Sequence, residues 1–214
     1  YFHHIHYLNN MLMGFGVTQI SYFTYYNRHY QSSQFHEDGS MIKEIMNSDG
    51  LVGTEKTPVW YNIQTMSEEM GEFDNIVLNF KYQSCCLHKA SSVSTALDPK
   101  SYNKSAYDFG SQFGAVSVYG FDNISGMNVD KEYTMFTWLK DEHNTNMYMV
   151  QNCTDPQYNY VQTIDLYFKS GTYAAIYENG SVRYVNLINS GISLKLSSGN
   201  AAYIIVFELW KGLM

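Results

Sequence analysis

Charge is what this 214-residue chain has least of: 13 Lys and Arg with 20 Asp and Glu make 15% of the residues and a net charge of -7. No basic cluster is present, which excludes nucleic acid as a partner, because phosphates need a Lys/Arg patch. No apolar run approaches the length of a membrane span, so no membrane partner is expected. No signal-like segment accompanies Tyr1, and the chain is expected to begin inside a longer protein or after processing. Cysteine is sparse: Cys85 and Cys86 are adjacent and Cys153 stands alone. That spacing fits neither a zinc site nor a disulfide framework, and all three read as packing thiols. What is abundant is aromatic, with 20 Tyr and 12 Phe. Such a chain can bury a good core and is not disordered.

The chain is organised around residues 16–26, Gly-Val-Thr-Gln-Ile-Ser-Tyr-Phe-Thr-Tyr-Tyr. Apolar residues stand on both parities, Val17, Phe23 and Tyr25 against Ile20, Tyr22 and Tyr26, as in a strand buried on both faces. Residues 1–14 precede it as a helix, with Ile5, Leu8, Leu12 and Phe15 at spacings of three and four and Gly14 and Gly16 as the stop. His3 and His6 share a face of that helix, with His4 beside them. No carboxylate or Cys stands near them in sequence to complete a metal shell, and they read as packing residues. A long loop is expected over 27–56. Thr57 then caps a helix that starts at Pro58. Val59, Ile63, Met66, Met70, Phe73, Val77 and Phe80 recur at alternate spacings of four and three, forming one buried stripe. Residues 76–87 are expected as a second short helix.

These residues carry a resemblance. Helix, Gly-Val-Thr-Gln-Ile-Ser-Tyr-Phe-Thr-Tyr, a loop with Gly39-Ser40-Met41-Ile42 and Gly50, then Thr57-Pro58-Val59-Trp60-Tyr61-Asn62 and a long helix resemble the end of a (β/α)8-barrel glycoside hydrolase. The group meant is the β-galactosidase-like one, whose barrel is followed by a small C-terminal β-domain. The likeness spans about residues 5–80. It implies that residues 16–26 are the eighth strand, its C-terminal end facing the active-site mouth. Tyr26 then stands where similar enzymes usually place a Trp sugar platform, and Tyr25, Arg28 and His29 join it as substrate-binding candidates on the rim. The resemblance also implies retaining hydrolysis of a β-linked glycoside or oligosaccharide by two carboxylates and no cofactor. In similar barrels those carboxylates lie on the fourth and seventh strands, upstream of Tyr1. Glu37, Asp38 and Glu44 show no spacing that selects a pair, so no catalytic residue is assigned within this chain. One strand with two helices cannot close a barrel, and residues 1–90 are expected to dock against the remainder of it.

A polar stretch at 90–101 marks a boundary, and residues 105–214 read as an antiparallel β-sandwich. Strands are expected over 113–119, 133–140, 146–153, 161–168, 173–177, 182–186, 192–196 and 201–209, each with one dry and one wet face. Glu178-Asn179-Gly180-Ser181 is a tight-hairpin signal, and 141–144 and 198–200 are further turns. The fold class is therefore α/β followed by all-β. Residues 148–156 also resemble a strand and turn of the C-terminal β-domains of those hydrolases. Trp138, Tyr148, Tyr158, Tyr160, Tyr167 and Tyr184 can form either a sugar-stacking platform or the sandwich core. A carbohydrate-binding module, or a purely structural accessory domain, is the competing function. Triplets at Asn103, Asn123, Asn152 and Asn179 match the glycosylation pattern, but an Asn- and Ser-rich chain makes them by chance and they fix no compartment.

Overall fold

In the computed structural model, residues 2–22, 26–27, 41–47, 50–71, 73–88, 121–131 and 133–208 are described. They are mostly antiparallel sheet. The elements in chain order are α1 (Phe2–Gly14), β1 (Tyr26–Asn27), β2 (Ile42–Asn47), β3 (Gly50–Lys56), α2 (Pro58–Gly71), α3 (Asp74–Val77), β4 (Lys81–His88), β5 (Ile124–Val129), β6 (Thr134–Lys140), β7 (Asn146–Asn152), β8 (Val161–Phe168), β9 (Tyr173–Glu178), β10 (Ser181–Asn186), β11 (Gly191–Ser197) and β12 (Ala201–Phe207). They form a six-stranded sheet ordered β10-β9-β12-β7-β6-β4, a three-stranded sheet ordered β11-β8-β5 and a small sheet β1-β2-β3.

The first two sheets face each other as a sandwich. Phe136, Tyr148, Val150, Ile176 and Ile204 from the large sheet meet Ile164, Leu166, Phe168, Leu194 and Leu196 from the smaller one in a single buried core. Residues two apart share a face, so β8 alternates buried and half-buried positions and β11 buried and exposed ones. The expectation of one dry and one wet face holds for those two strands. It fails for β7, where Met147 to Asn152 are all buried, and for β12, where Ala201 to Ile204 are. A second apolar cluster, with Phe73, Met147, Met149, Tyr177 and Tyr203 at its centre, covers the back of the large sheet, and Met13, Met70 and Val77 pack on it. Helices therefore form a third layer.

Local chemistry explains where that layer begins and ends. α1 closes on Gly16, whose φ of +80° is left-handed. The Gly16 N–H donates to Met13 O at 2.9 Å and the Val17 N–H to Leu12 O at 3.1 Å, the paired bonds of a Schellman cap. A Cβ on Gly16 would sit 2.7 Å from the Tyr82 Cβ, so only glycine lets the chain leave the helix against β4. Pro58 opens α2 where its missing N–H is tolerated. The Asn179-Gly180 loop between β9 and β10 has φ of 49° and 72°, the two positive values of a type I′ turn, and Ser181 pairs with Glu178 as the sequence signal requires.

Three expectations are corrected. Within the loop expected over 27–56 the described residues form strands: β2 and β3 make an antiparallel hairpin, with β1 parallel to β2 through Tyr26↔Ile42. Residues 76–87 are not a helix beyond Val77: β4 follows and pairs with β6 at the edge of the large sheet. Residues 17–22 leave α1 without regular structure, and of the strand expected over 16–26 only Tyr26–Asn27 pairs among the described residues. β5 was not anticipated, and the strand expected at 113–119 lies outside the described residues. The barrel's strand-helix unit does not stand among these elements.

If the back of the large sheet is closed by the helices, Met149→Ala, at a site 1% exposed, will cost about 2–4 kcal/mol in urea unfolding. A wet face there would make the substitution cost under about 0.5 kcal/mol.

Candidate functional site

The segment from Val17 to Tyr22, which the sequence marks as central, lies over a cavity of 530 Å³ between the helical layer and the large sheet. Met13 of α1, Met66 and Met70 of α2, and Leu139 and Tyr203 of the sheet make its apolar wall. Polar groups at the site are few and specific. Asn9, 3% exposed, donates from Nδ2 to the Tyr22 hydroxyl, while its Oδ1 finds no partner among the described residues. Burial raises the Tyr22 hydroxyl's pKa, and the bond from Asn9 opposes that shift. Across the cavity the Tyr82 hydroxyl donates to the Cys85 thiol at 3.3 Å. Burial, reinforced by the neighbouring thiol, raises Tyr82 as well, so both phenols stay protonated at neutral pH.

Directional bonds hold this layer in register on the sheet. Gln151 Nε2 donates to Tyr7 O at 2.8 Å and to Gly199 O at 3.2 Å, and Asn10 Nδ2 reaches the same Gly199 O at 2.9 Å. Thr137 Oγ1 donates to Gly14 O at 2.8 Å. His6, 3% exposed, meets Glu69 of α2 at 2.8 Å. Folding thus supplies, as a hydrogen-bond partner, the carboxylate that α1 lacks in sequence. Among the described residues no three His, Cys, Asp or Glu side chains gather as a metal set. Phe73 stacks on Tyr177 with ring centroids 3.9 Å apart and planes 7° apart.

Tyr26 is placed in β1, whereas Tyr25, Arg28 and His29 lie outside the described residues, as do Glu37 and Asp38. Carboxylates of the sandwich hold its turns. Asp141 accepts the His143 and Thr145 N–H groups, Asp155 that of Gln157, and Asp130 that of Thr163. Asp122 binds Asn146 and Lys140, which together keep its pKa low against the opposing effect of burial. Of the aromatic candidates, Tyr148 is fully buried and donates to Asp122 O at 2.6 Å. Trp138 is partly buried, and its indole donates to Asn146 at 2.9 Å. Tyr158, Tyr160 and Tyr184 are 59%, 48% and 72% exposed.

The Asn152 triplet is structural. Its Nδ2 donates to Tyr160 O at 3.0 Å and Leu196 O at 2.8 Å, and its Oδ1 accepts from Thr154 at 2.7 Å, so no amide hydrogen is left for modification in the folded chain. Asn123 is likewise occupied, by Ser170 at 2.9–3.0 Å. Asn179 is exposed at its turn, and Asn103 lies outside the described residues.

Two measurements check this geometry. Burial pushes the Cys85 thiol up to about 11 and Cys153 up to about 12. At pH 8 both will therefore resist iodoacetamide in the folded protein and react on unfolding, as read by peptide mass spectrometry. Tyr22→Phe will leave the buried Asn9 amide without its partner and cost about 1–3 kcal/mol in urea unfolding; a neutral result would place that amide in solvent.

Compared with protein-family models, curated proteins and solved structures, the chain gives no match.

Proposed function

We propose that this chain is the C-terminal part of a retaining glycoside hydrolase of the (β/α)8-barrel, β-galactosidase-like group. Its substrate is a β-linked glycoside or oligosaccharide, and its two catalytic carboxylates are supplied upstream of Tyr1. The observation that supports the reading is the order of parts: a helix, the Gly-Val-Thr-Gln-Ile-Ser-Tyr segment, a short strand, a hairpin and a second helix, with the two helices packed on the back of an antiparallel sandwich. A β-domain fastened in this way to a terminal helix pair suits a module that braces a barrel.

The chemistry assigned to the parent is double displacement. One carboxylate attacks the anomeric carbon while a carboxylic acid protonates the departing oxygen. Water, deprotonated by that same group, then releases the sugar with its configuration retained. No cofactor takes part. Within this chain Tyr26, Tyr25, Arg28 and His29 are assigned to the substrate rim, with Tyr26 as the stacking surface. A second reading, a carbohydrate-binding accessory module, is favoured by one observation: Tyr158 and Tyr160 are both exposed and stack with centroids 5.6 Å apart.

The test is to treat the protein from its natural source with 2-deoxy-2-fluoro-β-glycosyl fluorides, which trap the covalent intermediate, and to sequence the labelled peptide. Label on a Glu upstream of Tyr1 is the expected result. Label within residues 1–214, or a natural protein that starts at Tyr1 and takes none, would overturn the reading.

A further inference from the structure

Among the described residues the two sheets of the sandwich differ in strand number, six against three, and on the β10 side the large sheet reaches past β11 of the small one. Where β11 ends the small sheet, a groove of 470 Å³ opens. Arg183 and Val185 of β10 form one wall, in register with Ile176 and Ala174 on the core-facing side of β9. Asp165 and Tyr167 of β8 form the opposite side. The lip is the turn from Ile188 to Gly191.

Two features shape that groove. The Tyr167 ring lies over the Gly191 α-carbon: a Cβ there would stand 2.8 Å from the ring's Cδ1 and 3.1 Å from its Cε1. Glycine is thus what lets the ring lie flat across the neighbouring strand while still lining the groove. The lip turn closes through Ile188 N–H to Gly191 O at 3.0 Å and the reciprocal bond at 2.9 Å. Its central residues, Asn189 and Ser190, have φ of 50° and 61°, a type I′ turn built without glycine at either place. A serine held there is strained, and the turn leaves Ile188 76% exposed at the groove's edge.

We infer that this groove is a glycan-binding site, in which one pyranose ring lies on the face of Tyr167 and its hydroxyls bond to Asp165, Arg183 and Asn186. A pyranose offers an apolar C–H face for the ring and hydroxyls at its rim that both donate and accept. Asp165 supplies an acceptor, the Arg183 guanidinium donors and the Asn186 amide both kinds. Arg183 is 47% exposed and only loosely held by Glu178, at 3.7 Å, so its donors can turn to a ligand. A concave surface with one aromatic floor and a few convergent polar groups is the usual form of such a site. The choice of a glycan rests on the hydrolase reading above; the groove itself is separate from the substrate rim.

The test is affinity electrophoresis of the full protein carrying this chain, in gels containing xylan, mixed-linkage β-glucan or galactomannan, alongside fluoroglycoside labelling. Wild type is expected to be retarded by at least one polysaccharide, and Tyr167→Ala to weaken that retardation about tenfold. Tyr167→Phe should keep it, with labelling unchanged in all three proteins. Equal retardation of wild type and Tyr167→Ala would overturn the groove and move binding elsewhere. No retardation in any gel, with labelling intact, would overturn the groove and leave the hydrolase reading standing. Retardation lost in Tyr167→Ala, with no labelling in any protein, would support the groove and remove the hydrolase.

Discussion

A sheet that is apolar on both faces has to be covered on both, and the rest of this structure follows from that requirement. β7 sends Tyr148 and Val150 one way and Met147 and Met149 the other, and all four are buried. The smaller sheet covers the first pair. Covering the second falls to α1, α2 and Phe73. Pulling the helices away would expose those methionines with Tyr177 and Tyr203, and would take Tyr7 O from Gln151 and Gly199 O from Asn10. An apolar loss and a polar loss would then coincide, the combination that makes two layers unfold as one.

Apolar contact brings the layers together without fixing their register; the buried amides do that. Gln151 bridges Tyr7 and Gly199, so α1 and the β11–β12 loop are set by one side chain. At the same end of the sandwich Asn152 gathers Tyr160, Leu196 and Thr154, and Thr154 meets the Ser198 hydroxyl at 2.7 Å. Adjacent residues of one strand thus face opposite layers and tie each to the same loop. The Asn-Cys-Thr triplet that reads as a modification signal belongs to this knot.

What was legible in the sequence divides along a physical line. Among the described residues, the strands anticipated from 134 to 207 pair with one another without register shifts, and the period-two pattern is plain in β8 and β11. The pairs formed by β2, β4 and β5 each carry an irregularity: between Ile45 and Met46, between Tyr82 and Ser84, and between Ile124 and Gly126. An extra residue at a bulge flips the side-chain alternation, so apolar residues fall on both parities and the strand signal cancels. β4 suffers twice, because the helical stripe ending at Phe80 runs up to its first residue. The Val17–Tyr22 segment errs the other way: its β-branched and aromatic content reads as a strand, and it instead crosses the mouth of a cavity. Of the four rim residues that the resemblance implies, only Tyr26 falls among the described residues. Tyr167 stands among the stacking candidates named from sequence, but the groove around it is not legible there, since Asp165, Tyr167, Arg183 and Gly191 are brought together by the pairing of three strands in two sheets, and its turn uses Asn-Ser where the recognisable signal is Asn-Gly.

The overhang that makes the groove also creates a hazard. Among the described residues β10 ends the large sheet with a mostly exposed face, and Val182 and Tyr184 on it are 48% and 72% exposed. An open edge of that kind invites pairing with another chain. Arg183 stands between them and projects to the side that faces the small sheet, where a charged group penalises a second sandwich packing over the shelf. The charge that blunts the edge is thus also the charge available in the groove. A hydrated polar ligand suits such a place better than an apolar one, because it can meet Arg183 and Asp165 without stripping either of hydrogen-bond partners. Uneven strand number, an inward arginine and a tyrosine laid over glycine thus form one solution to the problem of ending a sheet.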